Sequence, residues 1–307
     1  MKHIFASTLL LFSSTSFATN PQLTGYGKQD FQQALDTAKV KTVLYRWYTF
    51  YERADRNWEN QMEILADDVV LSSIRGTAKG KKQYRERVEK IPLEWKNAHH
   101  LKSLKVKRVS TTQIEAEAYI VYENIDEKGQ FKSYKLKYDM ILEDAKEGIL
   151  PKFKKIAISP VQENPTKKFQ DSYGENRAKL FLNYWIVLLE KKNKESHYFK
   201  EVLPNQFSIN FPSGRLQSYQ DVANWYQRTN KSIVETRHLT ENFSSKSTQS
   251  GYAVSLNFKW NGINAKGQKM KAISQHNWML IEDNGKYPKI SAIDLKMIEP
   301  FEVIKLK

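Results

Sequence analysis

Residues 126–144 read Asp-Glu-Lys-Gly-Gln-Phe-Lys-Ser-Tyr-Lys-Leu-Lys-Tyr-Asp-Met-Ile-Leu-Glu-Asp. Residues 264–283 read Asn-Ala-Lys-Gly-Gln-Lys-Met-Lys-Ala-Ile-Ser-Gln-His-Asn-Trp-Met-Leu-Ile-Glu-Asp. Each is a polar turn closed by Gly-Gln, then an alternating stretch, then an apolar triplet ended by Glu-Asp or its like. A turn of this kind joining alternating runs is a hairpin signal. That the unit occurs twice points to an internal duplication.

On both sides of each hairpin the pattern repeats too. Upstream of the first hairpin, Ile114, Ala116, Ala118, Ile120 and Tyr122 alternate as on one face of a strand. Strands are predicted near 99–109, 113–123, 131–143 and 154–161, and again near 235–245, 252–260, 268–281 and 289–297. Before each set come a short strand (66–72; 205–209) and helical segments. An aromatic-rich helix is predicted from Asp36, with Val40, Val43, Leu44, Trp47, Tyr48, Phe50 and Tyr51 at helical spacing. Its counterpart runs from Arg177 to Glu190. Gly76, Gly80, Pro212 and Gly214 read as breaks before the third helices. The copies align with a shift of about 137 to 139 positions. That alignment sets Trp47 on Tyr184, and His99-His100-Leu101 on Arg237-His238-Leu239. The fold class is therefore α+β: two tandem cone-shaped domains, each a curved antiparallel sheet wrapped around N-terminal helices. The expected limits are 1–18 signal peptide, 19–35 polar leader, 36–161 first domain, 162–174 linker, 175–300 second domain and 301–307 C-terminal tail.

The chain has 307 residues, no cysteine and a formal net charge of +15. Without cysteine there are no disulfides, thiolate nucleophiles or zinc–thiolate sites. The basic excess is mostly lysine, spread over both halves, with no run of five. That favours solubility and weak attraction to anionic envelope surfaces over a nucleic-acid stripe. The start, Met1-Lys2-His3 and an apolar run to Phe12, then small residues to Ala18, has the form of a secretory signal. Cleavage is expected between Ala18 and Thr19, giving an exported protein, periplasmic or secreted. The apolar run is too short to serve as an anchor, so the chain is expected not to span a membrane.

This order of elements resembles the nuclear-transport-factor-2-like superfamily, and its SnoaL-like branch in particular. Thr236-Arg237-His238-Leu239 is similar to that branch's strand opening. Lys289 to Leu295, following Glu282 to Tyr287, is similar to its last hairpin. The likeness covers about residues 36–161 and 175–300. It implies a cone with an apolar pocket approached by Trp47 and Tyr51 in the first copy, and by Tyr184 and Trp185 in the second. Family members include isomerases, dehydratases, hydrolases and cyclases, and also proteins that only bind.

Acid–base chemistry needs a base in a low-dielectric pocket with a partner that orients it. His238 and His100 share the repeat position. His100 is in phase with Leu104 and Val106 and so should point inward. His276 shares a face with Met270, Ala272, Trp278 and Leu280. A His238–His276 pair inside the second cone follows. The strands offer it no carboxylate: Glu115 and Glu117 lie on a polar face, and no Asp or Glu occurs between Tyr252 and Ile281. His197 sits among Lys and Glu, outside any pocket. No Gly-rich phosphate loop, nucleophile elbow or metal-ligand spacing occurs, and no cofactor is implied. The leading expectation is a protein that binds a small apolar or aromatic molecule at Trp47, Tyr51, His100, Tyr184 and Trp185, without catalysis. One alternative is an isomerase, dehydratase or cyclase using His238 and His276. Another is an envelope interaction protein in which the two domains pair as an internal pseudo-dimer, offering the row Tyr252, Val254, Leu256, Phe258 and Trp260.

Overall fold

The computed structural model describes residues 27–144, 148–191 and 195–304. The signal, its cleavage point at Ala18–Thr19 and most of the leader lie outside them. The first helix, α1, spans Lys28–Tyr51. It starts eight residues before Asp36, because polar side chains anchor its first turns: Gln33 donates to the Val106 carbonyl, and Asp36 receives both Gln32 and Arg108. After α1 come α2 (Trp58–Glu63), β1 (Leu65–Ser73), β2 (Gly76–Lys79) and α3 (Gly80–Val88). A meander follows: β3 (Lys96–Arg108), β4 (Gln113–Ile125), β5 (Phe131–Glu143) and β6 (Lys152–Glu163). The second half repeats the order with α4 (Tyr173–Glu190), a 3-10 turn (Ser196–Glu201), β7 (Ser208–Phe211), β8 (Gly214–Leu216), α5 (Tyr219–Ser232), β9 (Ile233–Ser247), β10 (Gly251–Asn264), β11 (Lys269–Ile281) and β12 (Lys289–Val303).

The two sheets have the same topology, β2-β1-β6-β5-β4-β3 and β8-β7-β12-β11-β10-β9. They are mixed rather than wholly antiparallel. The short strands β1 and β7 run parallel to the last strands β6 and β12. The glycine and proline breaks are tight turns: Gly76, at φ 98°, reverses the chain into β2, and Pro212 to Gly214 leads into β8. The tail's first residues, Phe301 to Val303, belong to β12.

Strand register fixes the alignment of the copies. Ala118 faces Tyr138, and Leu256 faces His276. Leu71 lies beside Ile156, and Ile209 beside Ile293. A shift of 138 therefore relates β4, β5 and the helix ends, and Trp47 corresponds to Trp185, not Tyr184.

Fourteen residues of α1 are buried, on more than one face. A helix buried on more than one side needs two packing partners. One is its own sheet and the other is α4. The joint is polar and specific. Glu52, whose side chain is fully shielded, accepts hydrogen bonds from the His99 amide, Ser172 Oγ and Asn176 Nδ2 at 2.8–2.9 Å. The 162–174 segment is likewise strapped down. Ser133 and Thr166 exchange hydrogen bonds, and Glu123 receives Thr166 Oγ1 and the Gln170 amide. The halves thus meet through helices. The row from Tyr252 to Trp260 is buried inside the second domain and offers no outward contact.

Candidate functional site

The second domain encloses a cavity of about 450 Å³ between α4, α5 and the inner sheet face. This volume lies within the range of small-molecule sites, roughly 300–1,000 Å³. Trp185 and Leu189 of α4 form one wall, and Trp225 and Tyr226 of α5 another. Phe258, Trp260, His238, Ser274 and His276 come from the sheet. Phe301 stands at the rim, 58% exposed, edge-on to Trp260. Among the described residues that line the cavity there is no Asp, Glu, Lys or Arg.

The first domain has its corresponding interior filled. Trp47 packs on Tyr51, Tyr84 and Phe153 with ring centroids 5.3–5.7 Å apart. Tyr51 and Tyr84 join their hydroxyls at 2.8 Å, and Tyr48 stacks on His99 at 5.0 Å. At the shift of 138, Tyr51 becomes Leu189, Tyr138 becomes His276 and Tyr84 becomes Val222. Across the bulge on the last strand, Phe153 becomes Ile290. Each exchange removes ring volume, and the space appears as a cavity because rigid elements do not collapse into it.

Trp185, His238 and His276 are thus brought together. His238 and His276 both pack against Phe258, at 5.2 and 4.8 Å. Four expected residues are elsewhere. Trp47 and Tyr51 are core. Tyr184 turns to the other side of α4, stacked on Tyr287 at 3.9 Å and bonded to Glu201. His100 faces out of the sheet, 3.6 Å from Glu123. A bulge between Leu101 and Ser103 reverses the phase that Leu104 and Val106 suggest, so His99 is the inward residue and the true partner of His238. His197 is exposed.

A carboxylate does reach His238, from the end of α4 rather than from a strand. Glu190 Oε1 accepts the His238 amide at 2.5 Å and lies 3.3 Å from Nδ1. Sequence spacing conceals this pair, which is 48 positions apart. One signal was available: Glu52 and Glu190 both close an aromatic-rich helix at the 138 offset. Glu52 makes the same contacts with His99, amide at 2.9 Å and Nδ1 at 3.1 Å, in the domain whose interior holds the buried rings of Tyr84 and Tyr138. The Glu–His contact is therefore a staple from helix end to strand that both copies share. Trp260 and Tyr122 make a second shared contact, to Thr236 and Asn97 respectively.

His276 differs from its counterpart. It is buried, its Nε2 lies 2.9 Å from Ser274 Oγ, and its Nδ1 accepts Trp278 Nε1 at 3.4 Å. Burial, with a smaller contribution from nearby His238, lowers its pKa to about 3. A folded value below the unfolded one means that the unfolded chain takes up the proton first. The stability from this group is complete above about pH 6.5 and declines as pH falls toward 3, by at most about 1.4 kcal/mol per pH unit. Urea unfolding at pH 7, 6 and 5 should show a steeper loss for the wild type than for His276→Gln. Parallel losses would contradict the assignment.

No protein-family model matches the sequence, and no curated protein matches it significantly. Solved structures do match parts of the chain. A hexachlorocyclohexane dehydrochlorinase, LinA-type3 from Novosphingobium barchaimii LL02, is 18% identical, with 46% of this chain and 97% of that chain covered and a TM-score of 0.39. An NTF2-like protein with a cystatin-like fold from Novosphingobium aromaticivorans is 15% identical over 44% of this chain and 87% of that chain, at a TM-score of 0.37. An NTF2-like superfamily protein from Salmonella enterica serovar Typhimurium LT2 is 11% identical over 38% and 84%, at 0.35. Each spans less than half of this chain. The architecture described above stands on the strand pairing alone.

Proposed function

We propose that the chain binds one small, uncharged, aromatic-rich molecule in its second domain, and that the first domain is the scaffold that holds it. The observation that carries this reading is the internal contrast: one copy filled by tyrosines, the other carrying a cavity of about 450 Å³ walled by aromatic rings. No Asp, Glu, Lys or Arg lines the cavity, so a charged ligand would find little there to replace its water. Titration of tryptophan fluorescence with 9-fluorenone should saturate at one molecule per chain. Fluorene-9-carboxylate, of the same skeleton, should bind at least ~100-fold more weakly, about 2.7 kcal/mol. Equal binding of the two, or none of either, would refute the proposal.

A second reading, acid–base catalysis, is favoured by the Glu190–His238 contact, which would hold the ring for proton abstraction. The matching Glu52–His99 contact in the first copy weighs against it, since the same staple exists there among packed aromatic rings. An enolisable ketone incubated with protein in D2O separates the two. Deuterium uptake that His238→Gln abolishes would install catalysis; uptake no faster than in buffer would leave a binding site.

We also propose that the protein is exported after cleavage before Thr19, on the form of residues 1–18. Mass spectrometry of the exported chain should find Thr19 first; an intact Met1 on cytoplasmic protein would refute this. The charge of +15 supports weak attraction to anionic envelope surfaces. The packing of α1 on α4 supports reading the two domains as an internal pseudo-dimer.

A further inference from the structure

The duplication supplies an internal control for every polar group in the second domain. A contact present in both copies serves the fold they share. A contact present only beside the cavity requires another reason. The Glu–His staple and the Trp260–Thr236 pair fall in the first class. The series Trp278–His276–Ser274 falls in the second. Its counterparts at the 138 offset are Met140, Tyr138 and Leu136, which form no such chain of hydrogen bonds.

The three residues alternate on β11, so all three side chains leave the same face of the strand. Each is buried, and two of them, Ser274 and His276, line the cavity. The direction of the hydrogen bonds is set by the one group that has no choice. An indole Nε1–H can only donate. His276 Nδ1, which receives it, must therefore carry no proton. The ring is then neutral with its proton on Nε2, in keeping with its lowered pKa. That Nε2–H points at Ser274 Oγ, 2.9 Å away, and donates to it. The serine oxygen is occupied as an acceptor on that side, so its own O–H is directed away from the imidazole.

We propose that Ser274 is the specificity-determining residue of the cavity, a hydroxyl fixed as a donor that selects ligands carrying a neutral oxygen acceptor, such as a ketone, quinone or lactone carbonyl. The relay runs one way, Trp278 to His276 to Ser274 to ligand. Donors linked in series polarise one another, which strengthens the last bond. The arrangement does not prepare Ser274 as a nucleophile: Nε2 holds a proton and cannot accept another. A buried donor left unmatched by a ligand lacking an acceptor is costly, so the preference is expressed against hydrocarbons of the same shape. This inference rests on the cavity being a ligand site, and the test keeps the two apart.

The measurement compares 9-fluorenone with fluorene, which share a three-ring frame and differ at the carbonyl. Wild-type protein should bind the ketone roughly 10-fold or more tightly, as one added hydrogen bond to a buried group gives. Ser274→Ala should bring the two affinities together, by weakening the ketone and tightening the hydrocarbon that no longer leaves a donor unmatched. Ser274→Thr, which keeps a hydroxyl, should retain most of the preference. Removing the relay behind it, in His276→Phe, should reduce the preference while leaving fluorene bound. Binding of both compounds with equal affinity in the wild type would overturn the assignment of Ser274 and leave the cavity as a ligand site. Binding of neither would overturn both.

Discussion

Returning the first domain's tyrosines to the second should abolish ligand binding without unfolding the chain. The double variant Leu189→Tyr, His276→Tyr places rings where Tyr51 and Tyr138 stand in the filled copy. Both target positions line the cavity, and both rings have a precedent on the same backbone. Overpacking costs about 1–3 kcal/mol when a core is already full, but this one has about 450 Å³ to receive the added atoms. The melting temperature should therefore hold or rise. Affinity for 9-fluorenone should fall by at least roughly 100-fold, about 2.7 kcal/mol. A variant that folds and still binds at wild-type affinity would place the ligand elsewhere.

The largest loss of stability should come from Glu52. Its carboxylate gathers the His99 amide, Ser172 Oγ and Asn176 Nδ2 onto one oxygen, tying α1, β3 and the start of α4 together. Glu52→Ala strands these donors in a shielded place, and each carries a desolvation penalty of about 1–3 kcal/mol. Some of it is recovered by relaxation, so a net loss of about 3–5 kcal/mol is expected. Glu52→Gln keeps an acceptor and should lose less. Denaturant unfolding followed by circular dichroism gives both values. A loss below about 1 kcal/mol for the alanine variant would show that the joint between the domains is held by apolar packing alone.

The duplication, the strand order and most element limits were legible because they rest on alternation and on turn residues, which act locally. Gly129 and Gly267, both at φ 76°, mark the same hairpin twice, and sequence shows that plainly. What was not legible depends on one-residue shifts. The bulge after Leu101 leaves no mark in composition, yet it exchanges His100 for His99 at the pocket face. An offset misjudged by one put Trp47 on Tyr184 and hid the replacement of Tyr51 and Tyr138 by Leu189 and His276. The cavity is a difference between two sets of side chains, so no single residue announces it. Glu190 is hidden in the sequence for a related reason. It ends a helix that closes on β9 only in three dimensions.

The early start of α1 was hidden by its polarity. Between Lys28 and Leu35 only Phe31 is buried, so apolar periodicity is absent there, and hydrogen bonds to the sheet rim replace it. The interior position of His276 is legible from its apolar neighbours on one strand face, but the reason for a histidine there lies in Trp278 and Ser274 beside it.

Crystals soaked in 9-fluorenone would show where the ligand sits. One bound molecule is expected, in the second domain between Trp185 and Phe258, with its carbonyl oxygen within hydrogen-bond distance of Ser274 Oγ, and no molecule inside the first domain. Ligand density inside the first domain, or an empty second cavity at saturating ligand, would contradict that placement.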